Sequence, residues 1–196
     1  MNKKGFLVIL SAPSGCGKDT IFRGICDIRN DCIESISATT RSMRCGEVEG
    51  VNYFFKSLEE FEDMIAGNQL LEYAEYNGNY YGTPIFGVEK AIEEGKICFL
   101  IIEVQGAQNV MKLCPDAVSI FLLPPSIEEL ERRLLKRGTD DVEDVKKRIE
   151  IARHEIELSH LYKYVVVNDA VESAVDKVNK ILNNELYARN ESGVLV

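Results

Sequence analysis

Phe6-Leu7-Val8-Ile9-Leu10 runs straight into Ser11-Ala12-Pro13-Ser14-Gly15-Cys16-Gly17-Lys18-Asp19-Thr20. The apolar run suits a buried strand and is too short for a typical helix. Behind the turn, Ile21-Phe22-Arg23-Gly24-Ile25-Cys26 reads as the opening of a helix, in spite of Gly24. A strand, a glycine-rich turn with a lysine, then a helix is the layout that holds phosphates. The glycines let backbone N–H groups converge on an anion, and the helix start adds unpaired donors and the positive end of its dipole. Lys18 can reach β- and γ-phosphates as a point charge.

Two positions depart from the usual phosphate loop. Ala12 stands where the first glycine is usual, which calls for slightly different loop dihedrals. Asp19 stands where a Ser or Thr usually ligates Mg²⁺, and the hydroxyl arrives one residue later, at Thr20. The plain alternative is an ordinary strand–turn–helix corner with a surface lysine. Pro-Ser-Gly-Cys-Gly-Lys between the two elements weighs against it.

Working outward, the 196 residues suit one domain, with room for small inserted lobes. An apolar fraction of 45% supports a packed core. The apolar run after Lys3-Lys4 is too short for a signal peptide or a membrane span, so a cytoplasmic protein with no membrane partner is expected. Six cysteines are scattered without a Cys-x-x-Cys pair, the usage of a reduced compartment. Cys16 reads either as a thiol activated beside Lys18 or, more simply, as a small residue that fits the turn. A net charge of −9 argues against bulk nucleic-acid binding. An acidic chain that handles phosphates must gather its cations locally, so the arginine positions carry information.

Asp31–Ser37 looks like a short strand leading into a polar stretch with Arg41 and Arg44. Val51–Phe55 is aromatic and strand-like, and Ser57-Leu58-Glu59-Glu60 is a capping box opening a helix from Leu58 to Ala66. Leu70–Tyr76 and Asn79–Thr83 flank Asn77-Gly78, a strong hairpin signal. That turn pairs Tyr76 with Asn79, Ala74 with Tyr81 and Glu72 with Thr83. Glu72, Ala74, Tyr81 and Thr83 then share one face, which is either a ligand floor or a solvated surface.

A helix from Val88 to Glu94 precedes the apolar run Ile97–Ile102, a buried central strand. Glu103 follows at its C-terminal end, where ligands bind in open α/β sheets. Ala107–Cys114 reads as a helix and Val118–Leu123 as another buried strand. Ser126-Ile127-Glu128-Glu129 is a second capping box, and its helix carries Arg132, Arg133 and Arg137. After the acidic stretch 139–144, Val145, Ile149, Ala152 and Ile156 mark the inner stripe of a long helix. Tyr164–Val167 is a last strand, Val171–Tyr187 a last helix, and Arg189–Val196 a frayed tail. The alternation predicts an α/β protein with a parallel sheet.

The chain closely resembles the guanylate kinase family. The resemblance rests on Ser11-Ala12-Pro13-Ser14-Gly15-Cys16-Gly17-Lys18, Ser37-Ala38-Thr39-Thr40-Arg41 with Arg44, Gly46-Glu47-Val48, Gly78-Asn79-Tyr80-Tyr81-Gly82-Thr83, Gln105-Gly106-Ala107 and Val167-Asn168-Asp169. It implies a three-layer P-loop fold with a central five-stranded parallel sheet. It divides the single domain into a core (about 1–36, 91–131 and 151–190), a GMP-binding lobe (about 37–90) and a lid (about 132–150).

The activity implied is transfer of the ATP γ-phosphoryl group to GMP or dGMP, with Mg²⁺. The resemblance places ATP on Ala12, Pro13, Ser14, Gly15, Cys16, Gly17, Lys18, Asp19 and Thr20, with Asn168 at the adenine. It places the GMP phosphate on Arg41, Arg44, Tyr53 and Tyr81, and the guanine on Ser37, Glu72, Thr83 and Glu103. Arg133, Arg137 and Arg148 resemble lid arginines that act with Lys18 and Arg41 on the transferring group. The family usually has Asp at the positions of Ile101 and Glu103. Asp19 is therefore read either as a partial replacement for the carboxylate missing at Ile101 or as a solvent-facing first-turn residue. Two other readings are a non-catalytic interaction module of the same family and a P-loop kinase for another acceptor. The oligomeric state expected is monomer or homodimer.

Overall fold

The structure, a computed structural model, describes residues 5–76, 78–137 and 142–192. β1 (Phe6–Ser11) is buried along its whole length, as a strand covered on both faces must be. It is the middle of a five-stranded parallel sheet. β7 (Ile97–Ile101) lies on one side with β2 (Cys32–Glu34) beyond it; β8 (Val118–Leu123) lies on the other with β9 (Tyr164–Val167) outermost. The expected α/β sheet is therefore present, with five parallel strands.

Side chains of β1 alternate between two cores. Phe6, Val8 and Leu10 meet α1 (Lys18–Ile28), α5 (Ile127–Arg137), α6 (Val142–Glu157) and α7 (Val171–Ser192). Leu7 and Ile9 face the other way, toward α3 (Ile85–Glu93) and α4 (Val104–Leu113). Each fully buried Leu, Ile or Phe contributes about 1.5–3 kcal/mol through area removed from water. The result is three layers, with the C-terminal ends of β1 and β7 opening on one edge.

A second sheet stands apart, in the order β4 (Phe54–Phe55), β3 (Ala38–Thr39), β6 (Asn79–Pro84), β5 (Leu70–Tyr76). Its hairpin register is the one expected: Tyr76 opposite Asn79, Ala74 opposite Tyr81, Glu72 opposite Thr83. Asn77 lies outside the described residues, while Gly78 takes the left-handed φ of 72° that a tight hairpin turn needs. α2 (Leu58–Ala66) opens with both bonds of the Ser57–Glu60 capping box. It is fixed to the sheet by Phe61, which is buried and stacks on Tyr80 at 5.5 Å.

Several boundaries differ from the sequence reading. β2 and β4 are shorter than expected. α3 starts at Ile85 because Pro84 presets the N-cap, and Gly87 does not interrupt it. α4 starts at Val104, three residues early, with Gly106 inside its first turn. The Ser126 box is half formed: its hydroxyl accepts from Glu129 N–H at 3.2 Å, but the Glu129 carboxylate turns to Arg132 and Arg133. The acidic stretch at 139–141 lies outside the described residues.

α7 continues to Ser192, so Arg189 does not begin a frayed tail. Arg189 donates to the Asp116 carbonyl at 2.6 Å, and its guanidinium sits 4.8 Å from the Phe6 ring centroid. One turn earlier, the buried Glu185 holds Lys163 at 2.7 Å and the Tyr164 hydroxyl at 2.5 Å. These contacts order the helix end. Among the described residues, no helix is long and apolar enough to cross a membrane.

Candidate active site

The turn after β1 is built for an anion. Gly15 and Gly17 have φ of 89° and 95°, in the left-handed region where a Cβ is strained. Gly17 is the N-cap of α1 and gives no side-chain cap, so the first N–H groups of the helix lack a side-chain acceptor. Ala12 is buried and lies outside the left-handed region, so its Cβ carries no strain of that kind. Cys16 is buried, and burial pushes its thiol up to about 11 against the opposing charges of Arg133 and Lys18. That supports the small-residue reading and not an activated thiol. Lys18 folds over the loop, with Nζ 3.1 Å from the Ala12 carbonyl and 3.1 Å from Glu103 Oε1.

Asp19 and Thr20 are both exposed on the first turn of α1. Partial burial first, then Asp19, raise the Glu34 carboxyl, and Arg23 opposes them. Among the described residues, no three His, Cys, Asp or Glu side chains group to hold a metal unaided. The donor set suits Mg²⁺ that arrives on a triphosphate, which needs only one or two protein ligands. Ile101 packs against the core beside β1, so the missing carboxylate is replaced there by apolar contact.

Across from the loop, β3, β4 and β6 assemble the expected cation-and-phenol set. The Arg41 guanidinium lies 5.4 Å from the Tyr53 ring and 5.7 Å from the Phe55 ring. Tyr53 meets Tyr81 edge to face at 6.0 Å. Burial first, then Tyr81, raises the Tyr53 phenol, which keeps it a neutral donor. Arg44 is exposed on the neighbouring turn and Ser37 sits at the head of β3, where its carbonyl accepts from Phe54 N–H at 2.9 Å.

Deeper in, the Thr83 hydroxyl donates to Glu72 Oε1 at 2.8 Å. Burial raises the Glu72 carboxyl and the Thr83 bond opposes it. The other oxygen, Oε2, lies 2.9 Å from where a Cβ on Gly106 would stand. Gly106 is therefore the residue that lets α4 close on the Glu72 carboxylate. Glu103, the N-cap of α4, reaches Lys18, so the first turn of α4 touches both halves of the site.

Arg148 donates to Ser14 Oγ at 2.7 Å. Arg133 donates to Glu129 at 2.8 Å and to the Asn168 carbonyl at 3.2 Å. Arg148, from α6, thus reaches the phosphate loop itself, while Arg133, from α5, reaches Asn168, whose amide bonds the loop. The side chain of Arg137 lies outside the described residues. Asn168, expected at the adenine, is buried, and its amide donates to the Cys16 carbonyl at 2.8 Å; it braces the loop from beneath.

Glu155 went unread in the sequence. It stands two helical turns after Arg148, on the half-buried edge of α6. Burial first, then Glu103, pushes its carboxyl up to about 7 against Lys18. The available signal was an acidic residue three positions after Ala152, beside the inner stripe. Glu47 was quoted only as part of a family block, yet it grips Arg41 through two bonds, at 2.7 and 3.0 Å.

A phosphate loop at the C-terminal end of the central parallel strand, with Arg148 bonded to it and a second cluster of arginine and phenol side chains opposite, defines a P-loop phosphotransferase. A sequence model of the guanylate kinase family matches residues 4–185. The chain is 51% identical over 188 residues to a guanylate kinase of Enterococcus faecalis, covering 95% of this chain and 92% of that one. It is 50% identical over 187 residues to one from Lactococcus lactis, covering 95% and 91%. Among solved structures, guanylate kinase from Anaplasma phagocytophilum is similar at a TM-score of 0.75 and 34% identity, covering 94% of this chain and 87% of that one. The chain belongs to the guanylate kinase family.

Proposed function

We propose that this protein transfers the γ-phosphoryl group of ATP to GMP, releasing ADP and GDP. The observation that carries the reading is the first turn of α4: Glu103 meets the lysine of the phosphate loop, and Gly106 makes room for Glu72 of the guanine site. Two nucleotides bound on those residues lie with their phosphates toward one another.

ATP is read onto the loop from Ala12 to Thr20, under Arg133, Arg137 and Arg148. The GMP phosphate is read onto Arg41, Arg44, Tyr53 and Tyr81, where forked guanidinium bonds and phenol donors suit an anion. Guanine is read onto Ser37, Glu72, Thr83 and Glu103. Guanine presents adjacent N1–H and N2–H₂ donors, which one carboxylate can accept; adenine presents an unprotonated N1 there.

A phosphate oxygen of GMP attacks the γ-phosphorus in line. A new P–O bond forms as the bond to the β–γ bridging oxygen breaks, and that electron pair leaves on ADP. A phosphate monoester is already anionic near neutral pH, so no general base is required. Lys18 and the arginines position the two phosphates and offset the charge that builds between them. Asp19 and Thr20 would hold Mg²⁺, which supplies further charge neutralisation on the triphosphate when bound. The lobe at about 37–90 and the lid at about 132–150 are read as the parts that close and exclude water, since water would otherwise accept the phosphoryl group. A cytoplasmic setting is supported by the six free cysteines.

Retention of Lys18, Arg41 and Arg44 favours catalysis over a purely protein-binding role. ADP release measured with GMP, dGMP, AMP and no acceptor tests the reading. Turnover with GMP and dGMP well above AMP and above the acceptor-free rate supports it. No release above background with GMP overturns it.

A further inference from the structure

We infer that Glu47 is a positioning residue that presets Arg41, and the turn bearing Arg44, for the phosphate of the acceptor nucleotide. The inference rests on the GMP-kinase reading above and adds a residue to it. Arg41 Nη1 donates to Glu47 Oε2 at 3.0 Å and Nη2 to Glu47 Oε1 at 2.7 Å, an end-on fork. The second Nη1 proton goes to the Ser42 carbonyl at 2.8 Å. A guanidinium has five N–H donors in a fixed plane. Those three bonds use the end and the back of the fork; the remaining N–H donors, on Nε and Nη2, match two oxygens of a phosphate, and the Tyr81 hydroxyl, read onto the same phosphate, also approaches the guanidinium.

The same carboxylate does a second job. Glu47 Oε2 accepts the Arg44 backbone N–H at 2.7 Å, while Glu47 N–H donates to the Arg44 carbonyl at 3.1 Å. The turn carrying the second arginine is closed by the group that orients the first. The pair is mostly shielded, with Arg41 and Glu47 side chains 13% and 18% exposed, and the Tyr53 and Phe55 rings flank the guanidinium.

Two effects oppose each other. Glu47 cancels part of the Arg41 charge, which weakens attraction for phosphate. It also removes the rotamer freedom of a long side chain before the ligand arrives, and preorganisation lowers the cost of binding. Two N–H donors beyond those held by Glu47 and Ser42 remain for phosphate, so the second effect is expected to win.

Glu47→Gln is close to isosteric, but its amide NH₂ faces N–H donors and cannot accept both. The variant, Glu47→Asp and the unaltered protein are titrated calorimetrically with GMP and with guanosine, and melting temperatures are recorded. Glu47→Gln is expected to weaken GMP by roughly tenfold or more, with guanosine binding and KM for ATP within about twofold. Glu47→Asp keeps the charge and falls between the two. In an Arg41→Met background, Glu47→Gln adds a smaller loss than in the unaltered protein, the part carried by the turn that bears Arg44. Tighter or unchanged GMP binding in Glu47→Gln, an equal loss for guanosine, or an undiminished loss in the Arg41→Met background overturns the inference. Failure of the unaltered protein to bind GMP overturns the function instead.

Discussion

Lys18 Nζ and Glu103 Oε1 lie 3.1 Å apart, so the lysine of the phosphate loop and the carboxylate heading α4 hold each other where the two proposed nucleotide sites would meet. Lys18 is 11% exposed and Glu103 62%. An ion pair with one partner so open to water is worth about 1 kcal/mol or less. It parks the lysine without barring a triphosphate.

Replacing Lys18 with Met should therefore lower kcat by about a hundredfold or more, the scale of one lost transition-state contact. GMP affinity should change by no more than a few-fold, because among the residues proposed for GMP it is Glu103 that bonds Lys18, through an ion pair worth about 1 kcal/mol or less. Steady-state kinetics and calorimetry separate the two. An equal loss of GMP affinity would mean that Lys18 supports the acceptor and not the donor.

Glu72 and Thr83 form the pair that should set base choice. Glu72→Gln offers one acceptor and one donor, the pattern adenine matches and guanine does not. The ratio of kcat/KM for GMP over AMP should fall by about a hundredfold or more. Competition assays with both monophosphates read this directly. An unchanged ratio would move base discrimination to Ser37 or Glu103.

The readable parts of this chain are those fixed by neighbours in sequence. β1 and its loop follow from an apolar run and two glycines. The Glu72–Thr83 pairing follows from a two-residue turn that leaves one register. What escaped depends on distant chain. Gly106 matters because of a carboxylate 34 positions earlier, on β5, and Glu155 because α6 lays it beside Lys18 and Glu103. The end of α7 was misread because its last turns are ordered by Asp116, Phe6, Lys163 and Tyr164, none of them local. The starts of α3 and α4 lie three residues earlier than read, with Gly87 and Gly106 held inside the helices.

Asn168 should act as a brace. Its amide satisfies the Cys16 carbonyl at 2.8 Å in a site where both residues are buried. Asn168→Ala leaves that carbonyl without the bond, at a cost of about 1–3 kcal/mol of stability. Urea unfolding measures the loss. KM for ATP should rise several-fold with KM for GMP unchanged, because the brace lies under the donor loop alone. Unaltered stability would show that the loop holds its shape without it.

Glu155 should make stability depend on pH near neutrality. Burial first, then Glu103, lifts its carboxyl from 4.5 to about 7, with Lys18 opposing. Between those two values the native state keeps a proton that the unfolded chain has released. Fewer protons on the unfolded state mean that stability falls as pH rises through that window, and the loss levels off above about 7. Glu155→Gln keeps the shape and cannot ionise, so it should escape this loss. Its stability relative to the unaltered protein should rise steadily from pH 5 to pH 7 and stay level to pH 8, read from urea midpoints at each pH. Subtracting the two proteins cancels the other titrating groups. Parallel curves across that range would mean that Glu155 is already ionised in the native state and that Lys18 outweighs its burial.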